Sequence, residues 1–377
     1  MLRLRPIARR LTTIGVGAAL LSAASACGGG TNSSLAGVAG ATHTPSPRLT
    51  AGTLVVNPHE AVGPVAVDAH DLVWESGPLE DETSVSPSLH DRDFATGSTR
   101  TFPGAVDPLF GLASTSRFVF FARSTGNGAT VVRTTHRGSD ADVLTKTLVT
   151  PIASRGNVVA WGEQSGQVQR VVAYEGAGTK PRVVAKMSRC TGAVCYRLDD
   201  VTVADRGVVF TRDAVGGQGS LVVRRAFDES KAQSITVKHD PQPDLEPSSS
   251  GALYYDLFHG WYRWDFGESR PRPVTFANSP LKQLIRHEGP VWYWLDRHDC
   301  SVRIESSRGG DAAALNVPKR LAQIGSEPGG TCTELGGLTW AGTHAIAAWA
   351  VASEAAEEDH SDAGLRGVVV SARVPPK

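Results

Sequence analysis

Residues 117–123 read RFVFFAR, and residues 157–163 read NVVAWGE. Both are short runs of β-branched and aromatic residues, bounded by turn-forming residues, and that combination marks a strand. The same kind of run recurs as DLVWES (71–76), GVVFTRD (207–213), ALYYDL (252–257), PVWYWLD (290–296) and AIAAWAV (345–351), which makes seven copies. With Val73, Val119, Val159, Val209, Tyr254, Trp292 and Ala347 taken as equivalent, the intervals are 46, 40, 50, 45, 38 and 55 residues. From Gly52 onward no long 3.6-residue periodicity competes with this pattern, so helix is nearly absent.

Each copy has company on both sides. Before it lies a small or apolar run: PVAVDA, LFGLAS, VTPIAS, DVTVAD, LEPSSS, KQLIRH and GGLTWA. These are read as inner strands A, with the aromatic runs as strands B. After most copies comes a third run closed by a turn, as in HDRDFATGST, VVRTTHRGSD, VVAYEGAGTK, VVRRAFDESK, WYRWDFGESR and VRIESSRGGD. An interval of 38 to 55 residues accommodates four strands and their turns, the length of a propeller blade. The closing turns resemble the strand C to strand D turns of TolB-like bacterial β-propellers, and Asp93, Thr96 and Gly97 form the best single instance. The resemblance implies an all-β fold, a single β-propeller over residues 52–377 with seven four-stranded blades. Six blades follow instead if one copy is misread, and two all-β domains are the rival. No Pro, Gly or Ser linker interrupts residues 52–377, which favours one domain.

Two loose ends bear on closure. The seventh copy supplies strands A, B and C (residues 366–374) and then the sequence stops, one strand short, while TLVVN (53–57) has no partner ahead of the first copy. Pairing this N-terminal strand with the last blade would close the ring and hide two edges that otherwise invite association.

The N-terminus gives an address. Residues 1–10, MLRLRPIARR, carry four arginines and no acid, and an uncharged apolar run follows to Ala26. This is the pattern of a signal peptide over residues 1–26, too short and too rich in Gly, Ala, Ser and Thr for a retained span. The sequence Ala24, Ser25, Ala26, Cys27 resembles a bacterial lipobox, which implies diacylglycerol on the Cys27 thiol and a palmitate-bearing lipoprotein at the outer face of the cell membrane. An ordinary A-x-A cleavage site, hence plain secretion, is the alternative. A Gly-rich stretch over residues 27–51 would tether the domain, with a random-coil reach of about 25 to 30 Å. Removing the leader leaves 34 basic against 38 acidic residues. A mildly acidic domain is a poor partner for nucleic acid, whose affinity comes from neutralised phosphates.

Setting Cys27 aside for lipid leaves Cys190, Cys195, Cys300 and Cys332, an even set suited to disulfides outside the cytoplasm. If strand A runs from the upper to the lower face, A–B and C–D turns lie below and B–C and D–A loops above. All four cysteines then fall on the upper face, as a local Cys190–Cys195 bridge and a longer Cys300–Cys332 staple. A four-cysteine zinc site fits neither the spacing nor the compartment. Two acidic segments, Glu80, Asp81, Glu82 and Glu357, Glu358, Asp359, Asp362, fall in B–C loops of the first and seventh copies. Closure would bring them together as a patch for a divalent cation or a basic partner. The aromatics of copies five and six, from Tyr254 to Trp294, read mainly as core.

No G-x-S-x-G, H-E-x-x-H, Walker or EF-hand pattern is present, so no catalytic or resident metal residue is expected. His239–Asp240, His287–Glu288 and His298–Asp299 are sequence neighbours, but adjacent strand residues point to opposite faces. The expected role is a lipid-tethered binding or scaffold module that presents upper-face loops to an envelope protein or cell-wall ligand. The alternative is an extracytoplasmic hydrolase or lyase working at the channel mouth, where three or more His, Asp, Glu or Arg side chains would converge.

Overall fold

The computed structural model describes residues 53–54 and most of residues 61–374, with most side chains between Pro64 and Val274 and those of His287 and Trp292. Residues 1–52, 78–86, 275–284, 316–329 and 354–366 are among those outside the described residues. Within the described part all regular structure is β.

After β1 (Thr53–Leu54), the strands follow the sequence copies in order. Blade 1 is β2–β5: Ala61–Val67, Asp71–Gly77, Ser88–Asp93 and Thr99–Pro103. Blade 2 is β6–β9: Leu112–Ser114, Phe118–Thr125, Gly128–Thr135 and Asp142–Leu148. Blade 3 is β10–β13: Ala153–Arg155, Val158–Ser165, Val168–Glu175 and Arg182–Ser188. Blade 4 adds the short β14 (Cys190–Thr191) to β15–β18: Val194–Ala204, Gly207–Ala214, Ser220–Ala226 and Gln233–Val237. Blade 5 is β19–β22: Asp244–Ser248, Gly251–Asp256, Gly260–Asp265 and Arg272–Pro273. Blade 6 is β23–β26: Ile285–Glu288, Val291–Asp296, Ser301–Ser306 and Ala313–Leu315. Blade 7 is β27–β29: Gly330–Ala341, His344–Ser353 and Gly367–Val374.

Each set is an antiparallel meander. Its first strand lies beside the first strand of the next set: β2 by β6, β6 by β10, β10 by β15, β15 by β19, and β19 by β23. Blade 6 then meets β27 through β24, and β27 and β28 return to β2, so the sets close into a β-propeller. The N-terminal strand completes blade 7, with Thr53 opposite Ser371 and Leu54 opposite Val370. The two loose ends of the sequence therefore pair with each other.

The aromatic runs decide the fold because their strands are buried on both faces. Val119 and Phe121 pack with Val73 and Leu89 of blade 1, while Phe120 and Ala122 pack with Val159 and Trp161 of blade 3. Val208 and Phe210 likewise face blade 3, and Val209 faces Tyr254 and Trp264 of blade 5. Alternation along a strand thus sends successive side chains into two different seams, both apolar. The stack leaves little room at the lower turns: a side chain at Gly207 or Gly251 would collide with backbone oxygens of Arg225 and Trp264. The Asp93 turn closes as its sequence implies, with Asp93 Oδ1 accepting from Ala95 N at 2.7 Å and Thr96 N at 3.0 Å and Gly97 at φ +69°.

Candidate functional site

On the upper face, the connection from blade 3 to blade 4 is a hairpin rather than a loose loop. Cys190 and Cys195 stand directly opposite each other across β14 and β15 and are joined by a disulfide. Gly192, at φ +61°, turns the tip, a conformation other residues resist. Thr191, Gly192 and Ala193 are exposed, and the root is tied down by Arg189 N to Gln167 O at 2.7 Å and Val215 N to Cys195 O at 2.8 Å. Arg212 locks the base: it is 7% exposed, stacks on Tyr196 and donates to the Ser188 carbonyl at 2.5 Å and to Gln169 Oε1 at 3.3 Å. Val215, exposed on the neighbouring β16–β17 turn, adds apolar surface.

Below this hairpin, on the innermost strand, Arg197 and Asp199 meet Asp213 of β16. Arg197 Nη2 lies 2.9 Å from Asp199 Oδ1 and 3.6 Å from Asp213 Oδ2. Burial, then the nearby Asp199 charge, push the Asp213 carboxyl up to about 7, against the pull of Ser220 and Arg197. Asp213 itself is 4% exposed.

The lower end of the seam between blades 1 and 2 holds a second group. The β2–β3 turn presents Asp68 and Asp71, β4 presents Asp91, and the β8–β9 turn of blade 2 sends His136 across. His136 Nδ1 lies 2.8 Å from Asp91 Oδ2 and Nε2 lies 2.7 Å from the Thr115 carbonyl. Both neighbours accept, so both ring nitrogens donate and the ring is an imidazolium. Asp71 Oδ2 stands 3.7 Å from Nδ1, and Asp68 Oδ2 stands 4.0 Å from Nε2. Burial pulls His136 down, but its bonds to Asp91 and Thr115 and the charges of Asp91 and Asp71 carry it up to about 9. Burial lifts the Asp71 carboxyl to about 6, with His136 opposing and the neighbouring acids adding. Asp68, Asp71 and His136 each place one ligand atom within 4.8 Å of the others, a group that could hold a metal ion.

The seam between blades 5 and 6 holds another buried histidine. His287 Nδ1 lies 3.1 Å from Ser248 Oγ, and Arg263 Nη1 lies 3.4 Å from Nε2. Arginine can only donate, so Nε2 accepts and Nδ1 carries the proton. Burial first, then Arg263, push His287 down to about 4. This is a Ser–His contact with an arginine where a hydrolase would place an orienting acid, and Ser248 is fully buried. Farther round the lower face, a shallow groove of about 530 Å³ is lined by Arg117, Asn157, Glu175, Asp205 and Phe227.

Of the residues singled out in sequence, Cys190 and Cys195 come together as expected. Cys27, Glu80, Asp81, Glu82, Glu357, Glu358, Asp359 and Asp362 lie outside the described residues, as do the side chains of Cys300 and Cys332. Sequence reading missed the His136 group, although HDRD and TTHRGSD sit at equivalent C–D turns of consecutive copies and VDAHD is the A–B turn of the first of them.

No family profile matches the chain, and no curated protein matches its sequence. Among solved structures it is similar to a prolyl endopeptidase, with a TM-score of 0.52 and 14% identity over 81% of this chain and 48% of that one. The chain therefore spans about half the length of that enzyme. It is also similar to an oligogalacturonate lyase from Vibrio parahaemolyticus, with a TM-score of 0.51 and 9% identity over 86% and 98% of the two chains. At these identities the likeness bears on the fold alone. TolB from Acinetobacter baumannii stands further off, at a TM-score of 0.39 and 12% identity over 81% and 83%.

Proposed function

We propose that the chain is an exported, lipid-anchored β-propeller that holds an envelope protein or a cell-wall ligand on its upper-face loops. One observation carries this reading: the Cys190–Cys195 hairpin, a rigid and exposed projection whose disulfide belongs to an oxidising compartment. Preorganised loops lose less entropy on binding, and the disulfide and the buried Arg212 supply that rigidity. The acidic segments Glu80–Glu82 and Glu357–Asp362 extend the proposed face. In support, the strands that bracket them belong to blades 1 and 7, which meet at β2 and β27. Lipid on Cys27 would hold the molecule at the membrane.

Affinity capture of the full chain from its native envelope tests the proposal. The wild type is expected to retain a partner that Thr191→Arg with Ala193→Arg loses, while circular dichroism stays unchanged because both side chains are exposed. Identical capture by both proteins removes the hairpin from the binding face. In the same preparation Cys27→Ala is expected to move the protein from the membrane to the soluble fraction, and continued sedimentation would overturn the anchor. A second reading, a hydrolase or lyase at the channel mouth, draws on Arg197, Asp199 and Asp213, since an acid near 7 suits proton transfer. It is the weaker one because Asp213 is buried behind Arg197.

A further inference from the structure

We propose that the lower end of the seam between blades 1 and 2 is a divalent-cation site built on the carboxylates of Asp68 and Asp71, with the unpartnered Oδ1 of Asp91 beside them on the same face. His136 and Ser114 hold two of those carboxylates from outside.

The charge balance comes first. Three carboxylates face one imidazolium, and Asp93, which follows Asp91 by two residues on β4, adds further negative field at Asp71. The group is therefore short of about two positive charges. A monovalent counter-ion leaves part of that deficit inside a seam whose Asp68, Asp71 and His136 side chains are only 7, 13 and 12% exposed. A divalent ion cancels it.

Unsatisfied valence comes second. Asp91 is 2% exposed, its Oδ2 is taken by His136, and its Oδ1 is buried without a donor. A buried carboxylate oxygen lacking a partner is costly, and a coordinated cation would satisfy it. Register places this residue beside the cluster: Val73 pairs with Asp91 and Asp71 with Asp93, so Asp71 and Asp91 share one face of blade 1.

The outer contacts are those of a ligand shell. Ser114 Oγ donates to Asp68 Oδ2 at 2.5 Å, while His70 N and Asp71 N hold Asp68 Oδ1 at 2.7 and 3.0 Å. His136 donates to Asp91. Ligating carboxylates are ordinarily oriented by such second donors. Because both His136 nitrogens are engaged as donors, the ring serves here as an outer partner rather than a ligand. The inner ligands are then all carboxylate oxygens, which select hard ions such as Ca²⁺, Mg²⁺ or Mn²⁺ over softer ones.

The test uses the purified full chain and Mn²⁺ alone, followed by electron paramagnetic resonance and calorimetry. One equivalent is expected to bind, and Asp71→Asn is expected to weaken it at least tenfold while Asp359→Asn with Asp362→Asn leaves it unchanged. Asp71→Asn removes a repulsive charge and keeps the shape of the side chain, so its fold should persist. Paramagnetic broadening of the His136 ring protons by substoichiometric Mn²⁺ in the wild type locates the ion without any variant. Absence of a bound equivalent, binding indifferent to Asp71→Asn, or an unbroadened His136 overturns the site. Loss of binding in the double variant alone assigns the ion to the acidic segments instead and overturns it equally.

Discussion

His136 and His287 are both buried between blades, yet they occupy opposite ends of the histidine range. His136 faces Asp68, Asp71 and Asp91 and rises to about 9, whereas His287 faces Arg263, with Arg155 and Arg272 beyond, and falls to about 4. Burial opposes the charged form in both. In the first seam the acids of blade 1 override burial, whereas in the second burial itself carries His287 down and Arg263 adds to it against Asp265. One seam thus holds a charged ring and the other a neutral one.

Removal of each ring exposes the difference most strongly. His136→Gln deletes the imidazolium that faces three acids and should destabilise the domain by about 3–5 kcal/mol, the scale of a broken buried ion pair. His287→Gln keeps an amide donor and acceptor for Ser248 and Arg263 and should cost about 1 kcal/mol. Urea unfolding of both variants at pH 7 measures the gap, and equal losses would remove the distinction between the seams.

Proton linkage sharpens the same contrast. The folded-state value of His136 is raised, from 6.5 to about 9, so its contribution is complete below pH 6.5 and disappears as pH climbs from 6.5 to 9. That of His287 is depressed, from 6.5 to about 4, so its contribution is complete above pH 6.5 and disappears as pH falls from 6.5 to 4. Each is worth at most about 3 kcal/mol. In wild-type minus variant stability curves, His136→Gln should leave a slope only on the alkaline side and His287→Gln only on the acid side. A slope on the wrong side for either variant breaks the assignment.

The fold was legible because the information is local. RFVFFAR and its counterparts are apolar at successive positions, as strands buried between two neighbours must be, and TLVVN and the short last copy each lacked a partner. The seams were less legible because their polar partners lie one copy apart. His136 reaches back 45 residues to Asp91, Ser114 reaches back 46 to Asp68, Ser248 pairs 39 ahead with His287, and Arg155 pairs 50 ahead with Asp205. These separations fall within the 38 to 55 residues between the copies themselves. The period was visible, and it restricts the partners to the equivalent turn of the next copy. It does not say which turn residues meet, because that depends on side-chain reach and on the bulges that shift register, as between Leu198 and Val201. The Cys190–Cys195 bridge needed no such step, since a six-residue hairpin carries both its ends.

The smallest expected effect comes from the opposite end of the His136 seam. Glu75 stands four residues after Asp71 on β3, on the same face, and its Oε1 accepts from Val106 N at 2.7 Å. Among the described residues no cation contributes there. Burial lifts its carboxyl from 4.5 to about 7, with only the Val106 bond opposing. The folded state therefore keeps a proton that the unfolded chain releases between pH 4.5 and 7, and the cost of ionising Glu75 grows across that window and is complete above it. Glu75→Gln preserves the acceptor for Val106 and removes the charge. The substitution should leave stability unchanged at pH 4.5 and raise it by about 1 kcal/mol at pH 8, a figure reduced from the full linkage value for partial solvation. Thermal unfolding at the two pH values measures it. A variant no more stable than wild type at pH 8 would mean that Glu75 finds a cation on ionising, and then the two ends of this seam would obey the same rule instead of opposite ones.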